Sequence, residues 1–268
     1  PLPTANKTAA KWVAPNGTDT IDAFEAAGAA RGLLKQLEPL LDPDALTVTG
    51  RTLRDNLDGV VVQNADVIRP LDHPFSLHAS IVVLRGSLAP ESAIVRPGLQ
   101  RPGQDGHFEG RAIVYDDVPE AIAGVQKGDL KPGHVLVLRG CGPKGGPAMA
   151  GSASRVVFAI YAAGLENEVA FVSDGQLSGL CNKGMTVAEV SPESAVGGTL
   201  ALVANGDRIR IDIDERILDL DVPAAELDAR RARRGEVPLP AATGYLSIYQ
   251  RSVQPMSTGA VLVTPEKR

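Results

Sequence analysis

Short apolar runs alternate with a helical pattern in the middle of the chain. Residues 135–138 and 169–172 are each a run of four apolar residues, which is typical of strands buried on both faces. Each run ends in glycines and small polar residues, and residues 152–163 between them have a helical pattern. Strand, glycine-rich turn, helix and strand in this order predict a parallel βαβ unit.

The same patterns predict elements on both sides of this unit. Thr20 is a candidate N-cap for the first helix, and Asn205-Gly206 is a hairpin signal between two later strands. The arginines at 230–234 are interpreted as a solvated helix end. The predicted helices cover residues 21–38, 52–57, 119–127, 223–234 and 245–253, and the further strands cover residues 45–49, 80–84, 93–96, 110–115, 198–203, 207–213 and 217–222.

Parallel units in the middle and close-spaced strands near the end predict a mixed sheet of the α/β class. Two of the later strands alternate apolar and polar residues, so one of their faces is expected to be solvated. Residues 1–20 are rich in Pro, Gly, Thr and Asn around Trp12 and predict an extended arm. Residues 21–268 are expected to form one domain.

Composition narrows the class of protein. The net charge of −5 argues against nonspecific nucleic-acid binding, which requires a basic face. No apolar run approaches the roughly 18 residues of a membrane span, and no signal peptide is visible. Two cysteines, Cys141 and Cys181, do not make a disulfide framework. A cytoplasmic protein is therefore expected.

The two glycine-rich turns, residues 139–147 and 173–179, are the candidate binding site. Ligands of parallel sheets bind beyond the carboxyl ends of the strands, where both turns fall. Glycine N–H groups approach anions closely, so the turns predict a shared site for a negatively charged small molecule. The candidate backbone donors are those of Gly145, Gly146, Gly175 and Gly179. Lys144 is either a ligand for a carboxylate or phosphate or a surface lysine, and residues 86–90 form a third candidate loop.

Several motifs in this region carry a family resemblance. Gly-Pro-Lys-Gly-Gly-Pro at 142–147, Ser-Asp-Gly-Gln-Leu-Ser-Gly at 173–179, Val-Ser-Pro-Glu-Ser-Ala at 190–195 and Asn-Gly-Asp-Arg-Ile-Arg-Ile-Asp at 205–212 occur in one order. With three earlier motifs they resemble the C-terminal half of the dihydroxy-acid and sugar-acid dehydratases, which include 6-phosphogluconate dehydratase. The resemblance implies a swivelling β/β/α domain with a barrel-like core.

The resemblance also implies a chemistry. Such enzymes dehydrate 2,3-dihydroxy acids or sugar acids to 2-keto acids, with an iron–sulfur cluster and Mg²⁺ as cofactors and a serine as the base at C2. Ser178 occupies the position of that serine, although from the residues alone a serine capping the following turn is the simpler interpretation. The family's cluster-binding N-terminal domain is not in this sequence. We therefore expect the chain to bind neither cofactor alone, to need that domain or subunit for activity, and to form homo-oligomers.

This sequence departs from the family at several positions. Cys141 stands where many members have a magnesium-binding glutamate, and a soft thiolate does not suit Mg²⁺, so that role is not carried over. Gln176, Leu180 and Cys181 also differ from the common family residues. The two cysteines are open to three interpretations: a soft-metal site, a reactive pair, or small apolar fillers, of which the fillers are favoured.

Two further functions compete with the dehydratase interpretation. One is an inactive anion-binding or regulatory domain derived from such an enzyme. The other is a stand-alone isomerase or transferase that uses Cys141 as a nucleophile. The second is disfavoured because His134, the nearest histidine in the sequence, precedes the strand that leads to Cys141 and so lies at its far end.

Overall fold

The computed structural model describes residues 19–75, 81–95, 106–146, 152–181, 183–235, 239–240 and 243–263. The chain forms two compact units, residues 1–80 and 81–268. Trp12 and almost all of the predicted arm lie outside the described residues.

The first unit begins with two helices where one was predicted. Thr20 caps the first helix as expected, since its hydroxyl accepts the N–H of Ala23 at 3.3 Å. The prediction of one helix over residues 21–38 was wrong because the backbone turns at Gly28, whose φ of +120° is not helical. The helices are α1, Ile21–Ala26, and α2, Ala29–Leu37.

The prediction of a strand at residues 45–49 was also wrong. Leu46 makes only an isolated bridge to Thr52, and it is 79% exposed. The apolar residues of this segment therefore have no second strand to support them. The helix predicted next is confirmed as α3, Leu53–Leu57, which begins with a capping box between Thr52 and Asp55.

The second unit contains one eight-stranded mixed sheet. Its order is β1-β2-β6-β5-β4-β3-β7-β8. The strands are β1, Val82–Leu84; β2, Ser92–Val95; β3, His107–Tyr115; β4, His134–Leu138; β5, Ala170–Ser173; β6, Met185–Ser191; β7, Arg208–Asp212; and β8, Ile217–Asp221.

The centre of this sheet is parallel and its flanks are antiparallel. The strands β3, β4, β5 and β6 run parallel, which confirms the predicted βαβ unit around α5, Ser152–Ala162. Each outer strand pairs antiparallel with its inner neighbour. A bridge from Arg85 to Ile217 links the two ends, so the sheet is nearly closed into a barrel. The predicted α/β class with a barrel-like core is confirmed.

Both faces of the central strands are buried, as their continuous apolar runs predicted. In β4, Val135 and Val137 pack in one core cluster with residues of the surrounding strands. Leu136 and Leu138 point to the opposite face, into a second cluster with α4, Val118–Lys127, and α5. This two-sided burial fixes the positions of the turns that follow the strands.

Between residues 185 and 206, one strand was missed, and the predictions of another strand and of a hairpin were wrong. The strand β6 was missed because its sequence includes Thr, Ala and Glu, which do not form a continuous apolar run. The apolar run at 198–203 is not a strand but contains a 3₁₀ turn, Thr199–Leu202. Because no strand precedes it, Asn205-Gly206 is a turn leading into β7 and not a hairpin.

Two helices follow the sheet, at the predicted places: α6, Ala224–Arg234, and α7, Gly244–Ser252. The arginines of α6 are not all solvated, because Arg230 is only 19% exposed and forms ion pairs with Asp207 and Glu226. Within the part of the chain that the structure describes, every helix is too short or too polar to cross a membrane.

Candidate functional site

Three turns come together at the carboxyl ends of three adjacent parallel strands. They follow β4, β5 and β6, and they include residues 139–146, 173–179 and 191–198. The first two turns had been predicted to converge, and the described part of each confirms this. The third candidate loop lies elsewhere, since the N–H groups of Ser87 and Leu88 donate to Asp219 and Leu218 around β8.

The carboxylate of Asp174 joins these three turns. It is fully buried and accepts the N–H groups of Gly140 at 3.3 Å, Cys141 at 2.9 Å and Ser194 at 2.9 Å. The hydroxyl of Ser194 also donates to it. Because a buried carboxylate is costly unless it is fully hydrogen-bonded, these donors make Asp174 the structural centre of the site.

A second carboxylate, Glu193, binds the glycine-rich turn from the other side. It is 7% exposed and accepts the N–H of Lys144 at 3.0 Å and that of Gly145 at 2.9 Å. Burial raises the pKa of Glu193, and the nearby Asp174 charge also raises it, while the two backbone donors lower it. The turn predicted to bind an anion therefore already binds one from its own chain.

Glycine is required at two places where these turns touch. A Cβ on Gly142 would lie 2.4 Å from the Glu193 carboxylate, and a Cβ on Gly175 would lie 2.6 Å from the Cβ of Cys141. Neither distance is compatible with a side chain without movement of the turn. These glycines therefore allow the close approach of the three turns.

Other predicted backbone donors are also bonded within the chain. The N–H of Gly146 donates to the carbonyl of Gly142 at 2.8 Å, and that of Gly175 donates to the hydroxyl of Ser173 at 3.0 Å. Gly179 lies on the exposed part of its turn. A substrate-binding role for Gly145, Gly146, Gly175 and Gly179 stays a prediction.

Ser178 is half-buried on the turn after β5. Its hydroxyl oxygen accepts the N–H of Leu180 at 3.2 Å, and its own N–H donates to the hydroxyl of Ser154 at 2.8 Å. Ser154 belongs to α5 and is buried. The turn is thus held against the helix, and the bond from Leu180 is the kind that a serine capping the following turn would accept.

Lys144 is half-buried on the turn after β4. Its backbone carbonyl accepts a hydrogen bond from the side chain of Gln250, which belongs to α7. The lysine backbone is therefore fixed from two sides, by Glu193 and by Gln250. Its proposed role in binding a carboxylate or phosphate stays a prediction.

Comparison with known proteins identifies the family. Residues 66–260 match the model of the C-terminal part of the dihydroxy-acid and 6-phosphogluconate dehydratases. The chain belongs to this family. It is 42% identical over 253 residues to a dihydroxy-acid dehydratase of Moorella thermoacetica and 38% identical over 252 residues to one of Ignicoccus hospitalis. Each match covers 93% of this chain and 45% of the relative, so the chain spans less than half the length of these dehydratases.

Cys141, where many dehydratases of this family have a glutamate, is a buried neutral thiol. Its side chain lies in the second core cluster, between β4, α4 and α5, and Cys181 lies in the same cluster. Burial, with a smaller contribution from the Asp174 charge, raises the pKa of Cys141 to about 12. A thiol with this pKa is a poor nucleophile near neutral pH. His134 lies at the opposite end of β4, as predicted, so the nucleophile interpretation has no support.

The described residues do not fit the metal centres of the dehydratase family. Among them, no group of three or more His, Cys, Asp or Glu side chains is placed to hold a metal ion. The Asp174 and Glu193 carboxylates are bonded to backbone N–H groups, and Cys141 is protonated. A cluster of four thiolates needs more cysteines than the chain has. No catalytic step is therefore assigned to a metal held by these residues.

Asp174 and Glu193 were not predicted as site residues, although both lie inside the motifs at residues 173–179 and 190–195 that carry the family resemblance. The signal that could have found them is an acidic residue within each turn: Asp174 precedes Gly175, and Glu193 follows Pro192. Glycine-rich turns predict N–H groups that point at an anion, and any acidic residue in a converging turn is a candidate for that anion. The sequence separation between residues 144 and 193 concealed this contact.

Proposed function

We propose that this chain is the C-terminal part of a dehydratase that converts a 2,3-dihydroxy acid to a 2-keto acid. The observation that carries the proposal is the 42% identity, over nearly the whole chain, to a dihydroxy-acid dehydratase. Since both relatives above carry this name, the proposal favours a dihydroxy acid over a sugar acid.

Ser178 is the proposed base at C2. Its alkoxide would take the C2 proton and pass it to the departing C3 hydroxyl, which leaves as water. The resulting enol would become the ketone as its hydroxyl proton moves to C3. The N–H of Leu180 supports this role because it donates to the hydroxyl oxygen that would carry the negative charge. The bond from Ser178 to Ser154 supports it by holding the turn against α5.

The departure of the C3 hydroxyl needs an electrophile, which the described residues do not provide. We propose that the iron–sulfur cluster and Mg²⁺ that the resemblance implies are held by the part of the enzyme outside the matched region. The chain alone is then inactive. Lys144 is the proposed contact for the substrate carboxylate, since it lies on the turn next to that of Ser178 in the sheet order.

An inactive anion-binding domain is the alternative. The neutral Cys141 in a position that the family uses for a metal ligand favours it, because that change removes a catalytic group. The bonds of Glu193 to the N–H groups of Lys144 and Gly145 oppose it, because an incoming anion would have to displace this carboxylate.

Ser178→Ala in the complete enzyme separates the two functions. A catalytic base predicts that kcat for 2-keto acid formation falls by roughly 10²–10⁴-fold, while the urea midpoint changes little. Ser92→Ala, on β2, serves as the matched control and is expected to keep wild-type kcat. Dihydroxy acids with alkyl side chains and sugar acids are assayed in parallel. An active enzyme whose kcat is unchanged in Ser178→Ala would remove the serine from the mechanism.

A further inference from the structure

The helix α7 has its polar and apolar faces reversed. Ser247 and Gln250 are only 7% and 1% exposed, whereas Tyr245, Leu246 and Ile248 are 70%, 42% and 54% exposed. A surface helix of a globular protein normally buries its apolar stripe against the core. The core of this unit therefore does not explain the apolar residues of α7.

Specific hydrogen bonds hold α7 in this orientation. The side-chain amide of Gln250 donates to the carbonyl of Lys144, whereas the hydroxyl of the buried Ser247 donates within the helix, to the carbonyl of Gly244 at 2.9 Å. After the helix, the hydroxyl of Ser257 donates to the Glu91 carboxylate at 2.6 Å. Rotation of α7 to bury its apolar side would break the bond to Lys144, so the exposed side is a fixed feature.

The last described segment adds exposed apolar residues at the end of α7. Val263 donates its N–H to the carbonyl of Ser252, and Leu262 forms a bridge with Val253, so this segment lies at the end of the helix. Its three apolar residues are between 43% and 55% exposed. We define the α7 face as Tyr245, Leu246, Ile248, Val261, Leu262 and Val263. Several exposed apolar residues on one helix and on the segment that follows it are typical of an interaction surface.

A cavity of about 160 Å³ lies close to the anchored side of α7. Its lining is mainly apolar and includes Val196, Pro255 and Met256, together with Lys144 from the turn after β4. Val196 is 50% exposed, so this lining also reaches the surface. Apolar surface is therefore accessible next to the turn that carries Lys144 as well as on α7.

We propose that the α7 face binds the part of the dehydratase that this chain does not span, whether that part belongs to the same polypeptide or to a separate subunit. The first support is length, since more than half of each relative lies outside the match. The second is position: Gln250 connects α7 directly to the turn that carries Lys144. The α7 face lies on the other side of this helix, so a polypeptide on it would be roughly 10–12 Å, about one helix diameter, from that turn, near enough to bring the remaining catalytic groups to the candidate site. The proposal rests on family membership and on the need for those groups, but not on the role of Ser178.

Photo-crosslinking tests which polypeptide covers the face. A photoreactive amino acid replaces Ile248 in cells that make the complete enzyme, and mass spectrometry identifies the crosslinked peptide. We expect a peptide that aligns with the part of the dihydroxy-acid dehydratases outside the region matched by this chain. A peptide from residues 1–268 would show a second copy or an internal contact and would overturn the proposal, as would a failure to crosslink.

A paired substitution provides the quantitative arm. If the remaining part of the dehydratase is a separate subunit, Leu246→Glu with Ile248→Glu should lower the affinity for it by tenfold or more. If it belongs to the same polypeptide, the same pair should increase the rate of protease cleavage of that part by tenfold or more. Leu46→Glu with Val48→Glu is the matched control, since both residues are exposed and apolar. Equal losses in both pairs would refute the assignment to α7. Because the readout is contact and not turnover, Ser178→Ala should leave it unchanged, which separates this proposal from the catalytic one.

Discussion

Replacing Asp174 by Asn tests whether this carboxylate holds the three turns together. Its Oδ2 accepts from the N–H groups of Gly140 and Ser194 and from the Ser194 hydroxyl, and its Oδ1 accepts from the N–H of Cys141. An asparagine has one acceptor oxygen and one NH₂ group. If its oxygen keeps the three donors at Oδ2, its NH₂ group faces the N–H of Cys141, and two donors lose their partners.

The magnitude follows from this count. A buried donor without a partner costs about 1–3 kcal/mol, so two cost about 2–6 kcal/mol. Removal of a buried negative charge offsets part of this cost, because the folded state no longer has to desolvate that charge. We therefore expect Asp174→Asn to lower the free energy of unfolding by about 2–4 kcal/mol.

Urea unfolding followed by far-UV circular dichroism measures the loss, and hydrogen exchange locates it. The amide hydrogens of Cys141 and Ser194 should exchange faster in the variant, because both donate to Asp174. Asp228→Asn is the control, since Asp228 is 75% exposed and forms only a surface ion pair with Arg231, so its loss should cost less than about 1 kcal/mol. If the two variants have the same stability, or if exchange at Cys141 is unchanged, Asp174 does not hold the turns.

Three further predictions concern the residues around Asp174. Between the ordinary pKa of glutamate and the raised pKa of Glu193, the folded state binds more protons than the unfolded state, so the contribution of Glu193 to stability falls as pH rises. Glu193→Gln should remove this pH dependence from the free energy of unfolding, as measured by urea unfolding at about pH 4 to 8. An unchanged pH dependence would contradict the burial argument. Gly175→Ala should lower the free energy of unfolding by about 1–3 kcal/mol, because the new Cβ contacts the Cβ of Cys141. Adding Cys141→Gly to the same chain removes that contact and should recover part of the lost stability. If it recovers none, the strain lies elsewhere. The Cys141 thiol should react with iodoacetamide roughly a thousandfold more slowly than an ordinary exposed cysteine near pH 8, as measured by peptide mass spectrometry, and stoichiometric labelling of the folded chain within minutes would refute its raised pKa.

Most of the parallel centre could be predicted from the sequence because its signals are local. Continuous apolar runs at β4 and β5 bury both faces, and a helix of typical length lies between them. Thr20 predicted a helix start correctly because an N-cap bonds within its own first turn. The failures have a different origin. A strand and a buried helical segment look alike over the four apolar residues at 200–203, and only the tertiary structure distinguishes them.

The site was predictable in its location but not in its bonding. Strand ends and glycines located the turns after β4 and β5, and the resemblance selected Ser178. The partners of the turn N–H groups depend on the position of residue 193 in space, which no local pattern encodes. The reversed polarity of α7 had the same origin, because its apolar residues predicted a helix but not which side would face the core.

The site separates residues that hold the turns from residues proposed to react. Asp174 and Glu193 are buried, and their oxygens accept backbone N–H groups, so these contacts are structural. Ser178 and Lys144 are half-buried, and the backbone of Lys144 is held by hydrogen bonds to Glu193 and Gln250. A base and a cation at the edge of a rigid set of turns suit a site that a second polypeptide completes, because their positions are set before that polypeptide binds. The bond from Gln250 to Lys144 extends this rigid set to α7, whose exposed apolar face is where we infer that completion takes place.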